Sequence, residues 1–153
     1  MKNSPIYKDQ SLVNLELSVH ATELLNLADE YLSSFERSDL FSFSKSEERN
    51  KSYKLSHYDF AAKASSVIGN MNDSAAKLSN LLALADQSFA LDLTVLIGKK
   101  INAYLALEQK IGEYFSDCKK LIAQSTISPS LLISKTQKLR FELEGFLAAI
   151  RDE

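Results

Sequence analysis

Tryptophan is absent from the 153-residue chain, cysteine occurs once, proline twice, histidine twice and glycine four times. Cys118 alone has no intramolecular disulfide partner and reads as a reduced structural thiol. No Cys-x-x-Cys, His-x-x-x-His or Glu-x-x-His spacing occurs, so neither a metal nor a cofactor is expected. The scarcity of glycine and proline leaves little material for the turns of an all-β fold. Charge of neither sign dominates: 18 Lys and Arg against 20 Asp and Glu give a net charge of −2. That balance argues against a nucleic-acid partner, because phosphate contacts need clustered cations. No stretch approaches the ~20 consecutive apolar residues that cross a bilayer, and the opening MKNSPIYKDQ holds no apolar run of signal-peptide length. These absences predict a cytoplasmic chain without membrane association.

What is present is periodicity. Leu17, Ala21, Leu24, Ala28, Tyr31 and Phe35 recur in steps of four and three, which keeps them on one face of a helix. Phe60, Ala64, Val67, Met71, Ser74, Leu78, Leu81 and Ala85 form a second such seam. The third runs Ile97, Ile101, Tyr104, Glu108, Ile111, Phe115, Cys118, Ile122, broadened by Leu93, Leu105 and Leu107 and interrupted only by Glu108. The fourth is Leu132, Thr136, Leu139, Leu143, Phe146 and Ile150, opened by Ser128 as N-cap and Pro129 at the first helical position. A strand, with its period of two, cannot generate these patterns. The isolated Gly98, Gly112 and Gly145 read as points of close helix packing.

Four seams joined by short connections predict an all-α, up-down-up-down four-helix bundle. A chain of this length buries roughly 68–70% of its unfolded surface, enough for a core without staples. The organisation read from the pattern is an N-terminal arm over residues 1–10 and one helical domain over residues 11–153, with helix 1 from Ser11 to Arg37. A long, partly apolar linker follows, with Leu40, Phe41 and Phe43 set among serines and charges. Ser46 is a candidate cap for a second helix opening on Glu47 and Glu48, with Tyr53 and His57 extending the second seam backwards. Gly69–Asp73 is a weak point in a continuous helix, and Asp86-Gln87-Ser88 is the candidate reversal before the third seam. Without that reversal, a single helix would run over residues 73–124 and force a rod or a dimeric coiled coil.

Few residues carry chemistry. His20 stands with Glu16 and Glu23 on one helix face. It is similar to the phosphoacceptor of histidine phosphotransfer bundles, but Thr22, Glu23 and Leu24 put bulk and negative charge where a phosphoryl group would approach. Arg49 followed by His57, with Lys54 between them, resembles the Arg–His pair of helical ribonucleases of the HEPN type. That resemblance implies an RNA-binding or RNA-cleaving site at Arg49, Lys54 and His57, although the seven intervening residues exceed the family's interval by one. Glu108, a carboxylate within a seam, either reaches water at its edge or, with Tyr104, lines a pocket of a small-ligand sensor.

The reading these residues favour is non-enzymatic: a protein-interaction or oligomerisation module, with a protein partner or a second copy as a homodimer. Its contact surface is expected on the acidic face of helix 1, at Glu16, Glu23 and Glu30, or at Phe41 and Phe43 of the linker. Between Met1 and Ser44 seven acidic residues stand against three basic ones, which gives helix 1 that face.

Overall fold

The computed structural model describes residues 4–38 and 46–151. Among them the chain is all-helical, with four helices and no strand: α1 (Pro5–Ser38), α2 (Ser46–Gln87), α3 (Leu91–Ile122) and α4 (Pro129–Ala149). Leu40, Phe41 and Phe43 lie outside the described residues. No helix among those described is long and apolar enough to cross a membrane.

Every member of the first, second and fourth seams is buried, and the seams meet in one apolar cluster. Fully burying a single Leu such as Leu17, Leu24 or Leu78 contributes ~1.5–3 kcal/mol, so these stripes are the main source of stability. The third seam is buried as expected at Ile97, Tyr104, Ile111, Cys118 and Ile122 and departs from expectation at Ile101, Glu108 and Phe115. The buried positions of α3 include Lys100, Leu107 and Tyr114, while Ile101 and Phe115 are half-buried flanks and Glu108 is exposed. At those three positions either of two adjacent residues satisfies the same rhythm, and the neighbouring helices select between them. Lys100 is only 3% exposed, and its ammonium donates to Gln10 Oε1 at 3.1 Å, an oxygen that also accepts from Asn14 Nδ2 at 2.9 Å. A charge can stay inside in this way only because a polar partner meets it.

α1 starts six residues ahead of the expected Ser11, and most of the segment read as an arm is helix. Ser4-Pro5 is the reason: proline's fixed φ and missing N–H suit the first helical position, and Lys8 N bonds back to Ser4 O at 3.1 Å. The same dipeptide, Ser128-Pro129, opens α4, where Ser128 Oγ accepts from Leu131 N. α2 begins at Ser46 with Glu47 and Glu48 in its first turn, and it passes through Gly69–Asp73 unbroken. Asn50 ties its start to the α3–α4 loop, donating to Ser125 O at 2.8 Å and accepting from Ile127 N at 3.2 Å.

The long-helix alternative fails because α2 ends at Gln87 and α3 begins at Leu91. Ala90 N bonds to Ala85 O and Phe89 N to Asp86 O, the paired bonds of a Schellman cap. The left-handed position of that cap, usually glycine, is occupied by Phe89 with φ 54°. The glycines do something other than expected. An added Cβ would meet nothing within 4 Å at Gly98, Gly112 or Gly145, so none is a point of close helix approach.

Candidate interaction surfaces

Of the histidines and the cysteine, His57 and Cys118 sit inside, while His20 is half-buried. His57 is 3% exposed and its ring lies among Tyr31, Phe60, Tyr114 and Phe115, with centroids 5.6–6.5 Å away. Burial pushes its pKa below the ordinary histidine value, which keeps the imidazole neutral. Arg49 is exposed and Lys54 half-buried on the same helix. Arg49 stands eight residues from His57, ~12 Å along the axis at 1.5 Å per residue. The imidazole would have to leave its aromatic surroundings to share a phosphate with Arg49. Cys118 is also fully buried, and desolvation pushes its thiol up to about 11. Among the described residues, no group of His, Cys, Asp and Glu is arranged to hold a metal.

Tyr104 is buried and donates its hydroxyl to Asn72 Oδ1, while burial and the nearby charge of Glu108 push its phenol up to about 12. Glu108 itself faces water. A cleft of about 520 Å³ lies between α1 and α2, where Asp29, Glu30, Tyr31, Asp59 and Lys63 contribute to its walls. Another of about 500 Å³ is lined by Leu32, Phe35, Tyr53 and Ile133. Neither includes Tyr104 or Glu108. The carboxylates of the first cleft are partly neutralised in place: Asp29 accepts from Arg140 Nε at 2.7 Å and Asp59 lies 3.2 Å from Lys63 Nζ.

The acidic residues of α1 separate by role. Glu16 accepts from Lys77 Nζ at 3.1 Å and Ser74 Oγ at 3.0 Å, and these bonds hold its carboxyl below the usual carboxylate range. It therefore serves the α1–α2 contact. Glu23, 3.6 Å from His20 Nδ1, and Glu30 are exposed.

The sequence reading passed over the residues between these charges. Leu12, Leu15 and Val19 are 60%, 61% and 48% exposed on the side of α1 away from Leu17 and Leu24. Lys8, Leu12, Leu15 and Val19 follow steps of four, three and four, a second helical stripe. That signal was in the sequence, masked by the stronger core seam on the opposite face. A second apolar surface lies at the α2–α3 turn, where Leu84, Leu91 and Val95 are exposed near Phe89, itself 87% exposed. Large apolar side chains that cluster in water mark contact surfaces more often than scattered ones do.

No family model matches this chain, and no curated protein or solved structure matches it.

Proposed function

We propose that the chain is a non-enzymatic protein-interaction or oligomerisation module built as an up-down-up-down four-helix bundle. The pairing of residues supports that direction of travel. Along α1, Glu16 meets Lys77 and Tyr31 stacks on Phe60, so α2 is read backwards as α1 is read forwards. Asn72–Tyr104 with Phe60–Tyr114 gives the same sense for α2 and α3, and Tyr104–Phe146 with Asp117–Lys135 for α3 and α4.

The observation that carries the functional reading is the Leu12–Leu15–Val19 stripe. α1 already satisfies the core with its other face, so these three side chains lie outside it and leave apolar surface in water. Covering them is favourable, and Glu23 one turn beyond Val19, with Glu30 further along α1, steers approach and orientation. Burial takes the His57 imidazole and the Cys118 thiol out of reach of a substrate in the folded chain.

The test is a photo-crosslinking amino acid in place of Leu15, with one in place of the exposed Lys110 as control, irradiated in the host cell. A product of discrete mass from Leu15 and not from Lys110 is expected. Uncrosslinked chain at both positions would overturn the reading.

A further inference from the structure

Resting on that reading, we infer that the occupant of the α1 stripe is a second copy of this chain, paired face to face and antiparallel through α1. The charges flanking the stripe argue for this. Exposed Lys8 stands one turn before Leu12, and exposed Glu23 stands one turn after Val19. Two α1 faces laid parallel would set Lys8 against Lys8 and Glu23 against Glu23. Laid antiparallel about a two-fold axis, they set Leu12 against the partner's Leu15, and each Lys8 beside the partner's Val19 and the partner's Glu23. The pair of unlike charges then occurs twice, as an isologous interface requires. Lys8 also extends an aliphatic stem over the partner's Val19 while its ammonium reaches the carboxylate.

Of the other apolar surface only Leu91 and Val95 lie along one helix, Leu84 being on α2 and Phe89 in the turn. The 4-3-4 spacing on α1 instead presents a continuous ridge, which a second identical helix can pack against. Three apolar positions per copy place the contact at the small end of specific interfaces, below about 1,200 Å² in total, and the dimer is accordingly concentration dependent.

The experiment is absolute mass by light scattering on the purified full chain over a wide concentration range, with a melting curve on each variant to verify folding. The expected result is a mass that rises from 17.1 kDa towards twice that value. Leu15→Lys, at an exposed position, stays folded and monomeric throughout. Lys8→Glu and Glu23→Lys each weaken dimerisation by about tenfold, and the double exchange restores it. Wild-type chain that stays monomeric at every concentration overturns the self-pairing, as does a dimer unaffected by Leu15→Lys or not rescued by the double exchange. A monomer that still yields a discrete foreign product at Leu15 overturns the self-pairing alone. A monomer with no product at Leu15 overturns both proposals.

Discussion

The ring of His57 stands 5.6 Å from that of Tyr31, and neither the Nδ1 of the one nor the hydroxyl of the other has a hydrogen-bond partner among the described residues. The rings facing His57 are those of Tyr31 on α1, Phe60 on α2 and Tyr114 and Phe115 on α3, and among the described residues no carboxylate compensates a proton on it. Its folded pKa lies below the ordinary 6.5, so the unfolded chain binds the proton first. Stability is therefore lost as pH falls below 6.5 towards the lowered folded value, at up to ~1.4 kcal/mol per pH unit. His57→Phe is expected to flatten this dependence. Urea midpoints measured between about pH 5 and 7 decide it, and equal slopes in both proteins would contradict the assignment. The loss of the Glu16 bonds belongs to a separate window, below 4.5.

Cys118 is expected to resist thiol reagents in the folded state. A thiol pushed up to about 11 by desolvation holds almost no thiolate near neutral pH, and full burial blocks access. Labelling at neutral pH should be slow in buffer and rapid and complete in denaturant. Fast labelling of native chain would show that the contact between α3 and the rest of the core opens readily.

Gly112→Ala is expected to raise stability by about 0.5–1 kcal/mol, because a glycine inside a helix costs backbone entropy and the added methyl meets nothing within 4 Å. Denaturant unfolding measures this. A loss of stability would mean that α3 is held closely by a neighbour at that point.

Phe89→Gly is expected to stabilise by ~1 kcal/mol, the cost of holding a side chain in the left-handed region. The Phe89 ring, almost fully in water, gives up no packing in exchange. If the variant is instead less stable than wild type, the ring packs on the turn.

The seams of α1, α2 and α4 were legible because a core face needs only the right residues at the right period, and Leu24, Met71 and Leu143 announce that face wherever their neighbours stand. α3 was legible at Ile97, Tyr104, Ile111, Cys118 and Ile122 and missed by one residue at the positions between them. Leu107 and Glu108 are adjacent and both fit a seam; choosing Leu107 depended on the direction from which α2 and α4 approach. The early start of α1 was written in Ser4-Pro5, the same signal read correctly at Ser128-Pro129, but no apolar seam stood beside it to draw notice. Buried Gln10 belongs to a cluster made across 90 residues of sequence, and local pattern carries no such information.

The same division runs through the candidate surfaces. Composition and periodicity by themselves determined four helices, an apolar face on each and the acidic cast of α1, since those depend on local spacing alone. Tertiary structure decided that His57 is enclosed by aromatic rings, that Glu16 is engaged by Lys77 and Ser74, and that Leu12, Leu15 and Val19 are left in water. Each of these turns on which second helix comes near, and solvent exposure is a property of that pairing, not of the residue.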